Sequence, residues 1–108
     1  MTPLEITPAQ LKARLDAGDP LRLIDVREPH EFTRCRLDAA ELIPMRAIPQ
    51  HLPALKAATE SLVLYCHHGI RSLQAAAWLR KQGFPTCQSL QGGIDSWSRE
   101  IDPTVPRY

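Results

Sequence analysis

The sequence of 108 residues has few features that would indicate a membrane, a nucleic acid or an oxidising compartment. No stretch is long and apolar enough to span a bilayer, and the N-terminal "MTPLEITPAQ" lacks the cationic start and apolar run of a signal peptide. The formal net charge is +1 and acidic and basic residues are interspersed. This balance argues against a strongly basic surface for nucleic acid or anionic membrane. We therefore expect a cytoplasmic protein with neither kind of partner.

Cysteine is also scarce. The three cysteines, Cys35, Cys66 and Cys87, are far apart and form no CxxC pair, which argues against a disulfide framework and a zinc site. Their odd number leaves at least one free thiol. The adjacent His67 and His68 have no further ligand at a suitable spacing. The sequence therefore predicts no metal and no cofactor.

Short apolar runs alternate with helical patterns along the chain. Residues 21–26, 61–65 and 86–90 are typical of strands, and the first two runs are nearly uncharged, as in strands covered on both faces. This alternation predicts an α/β domain with a mostly parallel sheet and right-handed crossovers. With 44% hydrophobic residues, the chain is expected to form one domain, residues 1–108, with its own core. The oligomeric state stays open.

Helix start and stop signals stand between these runs. Thr7 is a candidate N-cap before Pro8, Pro29 begins a second helical pattern, and residues 45–57 form a third. Residues 71–82 place small and apolar side chains on one stripe, and a glycine pair precedes a short final helix. Trp78 and Trp97 both lie within helical apolar patterns, so packing is their expected role.

Cys66 stands where the predicted strand 61–65 meets the predicted helix 71–82, in the stretch "YCHHGIRS". In an open parallel sheet, ligands bind beyond the carboxyl ends of the strands. The free N–H groups at the start of the following helix favour an anion there. Arg71, with His67 and His68 at the rim, adds positive potential. We therefore expect Cys66 to act as a nucleophilic thiolate.

The loop after Cys66 is short. Gly69 permits the positive φ that a tight turn needs, and four residues separate Cys66 from Arg71. Converging N–H groups in such a loop can stabilise a negatively charged atom attached to the cysteine.

Three stretches of the chain now resemble the rhodanese-like sulfurtransferases. They are "LIDVREPHEF", "YCHHGIRS" followed by "AAAWLRKQGF", and "SLQGGIDSW", in the family's order and with its usual separations. The similarity covers nearly the whole chain. It implies a single rhodanese-like domain of three layers, in which helices flank a central, mostly parallel sheet of five strands.

The resemblance also implies a ping-pong reaction of the thiosulfate sulfurtransferase type. Cys66 would take the outer sulfur of a small anionic donor such as thiosulfate, release sulfite and carry the sulfur as a persulfide. Cyanide or a thiol would then accept this sulfur. The thiol could belong to a thioredoxin-like protein. The side chain of Arg71 would orient the anionic donor. The main chain of the substrate-binding loop would hold the terminal sulfur: His67, His68, Gly69, Ile70, Arg71 and Ser72.

Two other functions remain open. Non-catalytic rhodanese-like modules bind partners through the same crevice, but such modules often lack the cysteine. The other is a phosphatase-like or arsenate-reducing enzyme, but related phosphatases have one more residue between cysteine and arginine, which makes room for a tetrahedral phosphate. The shorter loop favours sulfur transfer, and no acid that could protonate a phosphate leaving group is apparent beside it.

Several residues outside the loop have supporting or uncertain roles. Asp25 and Arg27 end a strand at the same sheet edge, so we expect a hydrogen bond or ion pair that supports the pocket. Cys35 is a candidate resolving thiol for a Cys66 persulfide, whereas Cys87 is expected in the core. The segment 35–44, "CRLDAAELIP", lacks the histidine and glycines of the family's usual turn. Its geometry therefore stays open.

Overall fold

A computed structural model describes residues 2–108, in which strands and helices alternate as the sequence predicts. In chain order the elements are β1 (Glu5–Ile6), α1 (Pro8–Asp16), β2 (Leu21–Asp25), α2 (Pro29–Arg34), β3 (Glu41–Leu42), a 3-10 helix (Met45–Ala47), α3 (Ile48–Ala57), β4 (Ser61–Tyr65), α4 (Ile70–Lys81), β5 (Gln88–Leu90) and α5 (Gly93–Glu100).

The five strands form one sheet in the order β1-β5-β4-β2-β3, and every pairing is parallel. The predicted α/β fold with a central five-stranded sheet is therefore confirmed. β2 and β4 pair over their whole length, so that Asp25 lies beside Tyr65 at their carboxyl ends. From these two strands the chain continues toward opposite edges of the sheet. Such a switch point leaves a crevice between the two loops that follow the strands.

The edge strands were missed from the sequence. β1 and β3 have only two residues each, too few for an alternating pattern to stand out. β3 lies inside the atypical segment 35–44, and its turn places Ala39 at φ 64°. Among residues 2–108, Ala39 is the only residue other than glycine with a positive φ. An alanine thus adopts a left-handed conformation that usually favours glycine.

The helices begin near their predicted starts. Thr7 caps α1 by accepting a hydrogen bond from the Gln10 amide at 3.1 Å, and the Gln10 side chain accepts one from the Thr7 amide at 3.0 Å. Pro29 is the first residue of α2. None of the helices within residues 2–108 has the length and apolar character needed to cross a membrane.

Two apolar clusters cover the two faces of the sheet. Alternation along β4 directs Leu62 and Leu64 into one cluster and Val63 and Tyr65 into the other. Cys66 continues the first series, so its side chain lies on the face covered by α3 and α4. The position of the nucleophile candidate is therefore set by the register of the central strand.

The two tryptophans differ in burial. Trp97 of α5 is buried, as its predicted packing role requires. The packing prediction for Trp78 is wrong in part, because 37% of this residue is exposed. It stands beside the buried stripe of α4 and lines a cavity of about 300 Å³ with Met45, Ile48, Pro49, Gln74 and Ala75.

Candidate active site

The thiol of Cys66 is the acceptor of three hydrogen bonds from the loop that follows it. The amide of Gly69 lies 3.1 Å from Sγ, and the amide and hydroxyl of Ser72 each lie 3.4 Å from it. The residue is 1% exposed, so the sulfur lies at the base of the loop rather than on its rim. The main chain thus points donors at the atom that would carry negative charge.

Gly69 allows the loop to turn its amides toward Cys66 Sγ. Its φ is 94°, in the left-handed region that side chains rarely adopt. A Cβ at this position would lie 3.0 Å from the amide nitrogen of Gly92 and 3.2 Å from the carbonyl oxygen of Leu90. The glycine is therefore required both by its backbone conformation and by the close approach of the next loop.

The start of α5 holds the loop after Cys66 from outside. The amide of Ile94 donates to the Cys66 carbonyl at 2.9 Å, and the amide of Asp95 donates to the His67 carbonyl at 3.1 Å. A Cβ on Gly93 would lie 2.5 Å from each of these two carbonyl oxygens. The "GGIDSW" stretch therefore turns the loop's carbonyls away from the sulfur, a role that sequence reasoning did not identify.

Ser72 connects the sulfur to the neighbouring strand. Its hydroxyl, besides contacting Cys66 Sγ, lies 2.8 Å from the hydroxyl of Ser89 in β5. Both serines are fully buried. Ser89 was missed as a site residue, although its place at the end of the predicted third strand could have indicated it.

Arg71 is paired with an acid. Its guanidinium donates to Glu31 Oε1 at 2.8 Å and to Oε2 at 3.0 Å, a bidentate pair between α4 and α2. The Arg71 side chain is 38% exposed, so part of it also faces the solvent. Hydrogen bonds from Arg71 hold the pKa of Glu31 far below its usual range despite burial. Sequence reasoning did not identify Glu31 as the partner of Arg71.

Asp25 and Arg27 form the ion pair expected at the end of β2. Arg27 donates to Asp25 from Nε at 2.9 Å and from Nη2 at 2.6 Å, and both side chains are fully buried. Nη2 also donates to the Cys35 carbonyl at 2.6 Å. Burial alone would lower the pKa of Arg27, but the hydrogen bonds to Asp25 and Tyr108 outweigh it and raise the pKa above its ordinary value. Beyond the pair itself, the Arg27 side chain donates to Tyr108 and to the Cys35 carbonyl, and its support of the pocket stays a prediction.

Tyr108 reaches the site from the far end of the chain and was missed entirely. Its hydroxyl accepts a hydrogen bond from Arg27 Nη1 at 2.7 Å and donates one to Glu31 Oε2 at 2.7 Å. Its ring stacks on that of His67, with centroids 3.8 Å apart. No local pattern identifies a tyrosine 42 positions beyond the cysteine as a neighbour of the loop.

The two histidines occupy different environments at the rim. His68 is exposed, whereas His67 is half-buried between the rings of His68 and Tyr108. Burial, with a smaller effect of His68, lowers the pKa of His67 below its ordinary value. His67 is therefore mainly neutral at neutral pH and adds less positive potential than the sequence suggested.

The fold brings a third possible metal ligand, Asp95, close to the histidines. One ligand atom from each of His67, His68 and Asp95 lies within 4.8 Å of the others. The two histidine rings stack on each other at 26°, and Asp95 is paired with Arg99 and Arg107. Each of the three groups thus already has a packing or ion-pair partner, and the expectation of no metal stays a prediction from the sequence.

The other cysteines lie apart from the nucleophile candidate. Cys35 belongs to the apolar cluster on the opposite face of the sheet from Cys66. The structure does not bring these two thiols together, so the suggested resolving role is without geometric support. Cys87 is in the core, as predicted, and burial raises the pKa of its thiol to about 12.

Comparison with known proteins identifies the family of the chain. The sequence profile of the rhodanese-like domain matches residues 7–100. The chain is 33% identical over 92 residues to "Thiosulfate sulfurtransferase GlpE" of Stutzerimonas stutzeri, covering 85% of this chain and 82% of that protein. It is 40% identical over 104 residues to "Probable adenylyltransferase/sulfurtransferase MoeZ" of Mycobacterium tuberculosis, covering 95% of this chain. The match spans only 26% of that longer relative.

A solved structure shows the same fold. The rhodanese-like domain protein from Staphylococcus aureus superposes with a TM-score of 0.81 at 28% identity, covering 100% of this chain and 99% of that one. The family profile, the relatives and the fold all agree. The chain therefore belongs to the rhodanese-like sulfurtransferase family.

Proposed function

We propose that this protein, as a single rhodanese-like domain, transfers sulfane sulfur from a small anionic donor to a thiophilic acceptor through a persulfide on Cys66. The observation that carries the proposal is the set of donors around Sγ, namely the amides of Gly69 and Ser72 and the Ser72 hydroxyl. These groups stabilise a thiolate without titrating themselves. They also surround the place where an added sulfur would be attached.

In the first half-reaction, the Cys66 thiolate attacks the outer sulfur of thiosulfate. A sulfur–sulfur bond forms to Cys66 while the donor's own sulfur–sulfur bond breaks, and sulfite leaves with the bonding electron pair. The amides of Ile70 and Arg71 belong to the first turn of α4, where N–H groups lack helical acceptors. They would hold the terminal sulfur of the persulfide together with the amides of His67, His68, Gly69 and Ser72.

In the second half-reaction, cyanide or a thiolate attacks the terminal sulfur of the persulfide. The new bond forms to the acceptor, the bond to Cys66 breaks, and its electron pair returns to Cys66 as the thiolate. The donor groups of the loop then stabilise the leaving group. The same cradle therefore serves both halves of the ping-pong cycle.

The role of Arg71 is to attract and orient the anionic donor. Its pairing with Glu31 does not prevent this, because the side chain stays partly exposed at the mouth. Its pKa is raised above the ordinary arginine value, chiefly by the hydrogen bonds to Glu31, so it is charged throughout the working range of pH. Its position is thus fixed by Glu31 while its charge remains available to a donor.

The relatives support the choice of donor. One relative of similar length carries the name thiosulfate sulfurtransferase, and four intervening residues between Cys66 and Arg71 suit one sulfur atom better than a phosphate. The cytoplasmic location, the absence of nucleic-acid and membrane partners, and a thioredoxin-like acceptor stay predictions from the sequence.

Incubation with thiosulfate, followed by intact mass measurement and a sulfite assay, tests the proposal. We expect an adduct of one sulfur atom, stoichiometric sulfite release, and loss of the adduct on addition of cyanide. The Cys66→Ser variant should form no adduct, and turnover should fall on the order of a thousandfold or more. Cys87→Ala is the matched control, since it removes another buried thiol from the same apolar cluster, and it should keep the adduct.

The outcomes separate the candidate functions. A folded wild-type protein that forms no adduct and releases no sulfite would favour the binding module. An adduct that survives in the Cys66→Ser variant would overturn the assignment of the nucleophile. Hydrolysis of a phosphate ester by wild type, with no sulfur adduct, would favour the phosphatase.

The Arg71→Ala variant tests the donor-orienting role. We expect KM for thiosulfate to rise by about tenfold, with a smaller change for an uncharged sulfane-sulfur donor, because the positive charge acts on the anion alone. Raising the ionic strength should weaken thiosulfate binding in wild type and have less effect in the variant. Equal changes for both donors would contradict the role.

A further inference from the structure

The Tyr108 hydroxyl stands between two charged pairs. One is the fully buried pair of Asp25 with Arg27, and the other is the partly exposed pair of Glu31 with Arg71. The hydroxyl is the acceptor for Arg27 Nη1 and the donor to Glu31 Oε2, each at 2.7 Å. It therefore uses one lone pair and its proton to connect the two pairs.

Glu31 receives more donors than Arg71 alone supplies. Oε1 accepts from Arg71 Nη1 at 2.8 Å and from the Glu28 amide at 3.0 Å, while Oε2 accepts from Arg71 Nη2 at 3.0 Å and from the Tyr108 hydroxyl at 2.7 Å. Because the Glu28 amide and the Tyr108 hydroxyl also donate to Glu31, Arg71 is not the only group that balances the negative charge of Glu31. The guanidinium is then less completely neutralised by its partner.

The Tyr108 ring is held in place by its neighbours. It stacks on His67 with an interplanar angle of 6°, and the guanidinium carbons of Arg27 and Arg34 each lie 5.6 Å from its centroid. Burial raises the pKa of Tyr108 to about 12, so the hydroxyl keeps its proton at neutral pH. It is thus a permanent donor to Glu31.

We propose that Tyr108 is a positioning residue for the anionic sulfur donor: its hydroxyl carries part of the positive potential of Arg27 to Glu31, so that Arg71 stays in place and still attracts an anion. This inference rests on the proposed function, since it takes the donor to be an anion that meets Arg71. Without the hydroxyl, Glu31 Oε2 has Arg71 as its remaining side-chain donor. The negative charge of Glu31 then offsets more of the positive charge of Arg71, so an incoming anion is attracted less strongly.

The test measures the potential beside Cys66 by a reaction that does not need sulfur transfer. Iodoacetate and iodoacetamide alkylate a thiolate with loss of iodide, and they differ mainly in charge. The ratio of their rates at Cys66, followed by peptide mass spectrometry, reports the potential that an anion meets there. Tyr108→Phe should lower this ratio by about threefold, because it removes the hydroxyl and keeps the ring.

The matched control is Thr104→Val. It removes another hydroxyl from the same C-terminal segment, one that donates a hydrogen bond to Asp102. The rate ratio should be unchanged in this variant. With thiosulfate as substrate, Tyr108→Phe should raise KM by about threefold with little change in kcat, whereas a loss of folded protein would lower apparent kcat.

A double-variant cycle shows whether the hydroxyl acts through Glu31. Glu31→Gln removes the charge on which Tyr108 acts, so adding Tyr108→Phe in that background should change the ratio by less than in wild type. A purely packing role for Tyr108 would give the same change in both backgrounds. That result would overturn the inference.

Three further outcomes also decide the question. A folded Tyr108→Phe variant with the wild-type rate ratio would overturn the inference even if the protein is a sulfurtransferase. If Tyr108→Phe does not fold, Tyr108→Leu is measured instead, and it should lower the ratio to a similar extent. A lowered ratio in a protein that forms no persulfide would support the electrostatic inference and contradict the proposed function.

Discussion

The loops after β4 and β2 lie side by side at one edge of the sheet, yet they are built from different chemical groups. After β4, the sulfur of Cys66 faces main-chain amides and one serine hydroxyl. From the end of β2, Asp25 and Arg27 begin a series of charged side chains and a phenol that ends at Arg71. The first region directs donors at a sulfur atom, and the second region pairs charged side chains with one another.

This difference indicates how the two regions divide their tasks. Amides of the loop are permanent dipoles, so they can stabilise a thiolate at any pH without a counterion. The charged series has no net charge, because Asp25 and Glu31 match Arg27 and Arg71 one to one. Its main effect is therefore to fix positions, and in the proposed function the partly exposed Arg71 is the member that meets the donor.

The largest effect on stability is expected at the buried end of the charged series. Asp25→Asn leaves the Arg27 charge buried without its partner and should lower the free energy of unfolding by about 3–5 kcal/mol. The control is Glu41→Gln, which breaks the more exposed pair with Arg22 and should cost less than about 1 kcal/mol. Denaturant unfolding measures both. Equal costs would show that the burial of the first pair has no energetic consequence.

A slightly smaller effect is expected where α5 holds the amide loop. Gly93→Ala would place its Cβ 2.5 Å from the carbonyls of Cys66 and His67, whereas Gly18→Ala, at a similar φ, meets nothing within 4 Å. Both changes carry the left-handed penalty. Gly93→Ala should therefore lower the free energy of unfolding by about 1–3 kcal/mol more than Gly18→Ala does. It should also reduce turnover, on the order of a hundredfold, because the donors shift from Sγ. Wild-type turnover in Gly93→Ala would contradict the holding role.

The charged series should also make the free energy of unfolding depend on pH. The pKa of Glu31 is lowered in the folded protein from an ordinary 4.5, so its stabilisation is fully present above that value and is lost as the pH falls toward the folded pKa. Glu31→Gln should therefore cost about 1.5–3 kcal/mol at neutral pH, and this cost should shrink below pH 4.5. Urea unfolding at several pH values measures it, with the exposed Glu100→Gln as control. A cost that does not change with pH would exclude an ionic role.

The smallest effect lies outside both regions, at the atypical turn. Ala39→Gly relieves the φ of 64° and should raise the free energy of unfolding by up to about 1 kcal/mol, with no effect on turnover. Ala58→Gly, at an ordinary φ of −86°, should instead lower it by about 0.4–1 kcal/mol. A destabilised Ala39→Gly variant would show that the alanine side chain makes contacts that matter more than the strain.

The two regions also differ in how far they could be predicted. Cys66, Gly69 and Arg71 are close in sequence, and their spacing after an apolar run predicts an anion-binding loop before any coordinates are known. Glu31 and Tyr108 contact the same site from positions 40 residues before Arg71 and 37 residues after it. Glu31 lies within the stretch "LIDVREPHEF", but nothing in that stretch singles it out as the partner of Arg71, and Tyr108 lies in none of the three stretches. The charged series was thus visible only at its Asp25 and Arg27 end, where both partners follow one strand.

The sequence by itself determined the α/β alternation, the three longer strands and the loop that presents amides to Cys66, because these depend on periodicity and on neighbours a few residues apart. Tertiary structure alone decided that α5 would orient the loop's carbonyls, that Glu31 would hold Arg71, and that Tyr108 would bridge the two ion pairs. These contacts join residues from distant elements. Such elements meet only after the sheet has formed, so the chain order carries no local signal for them.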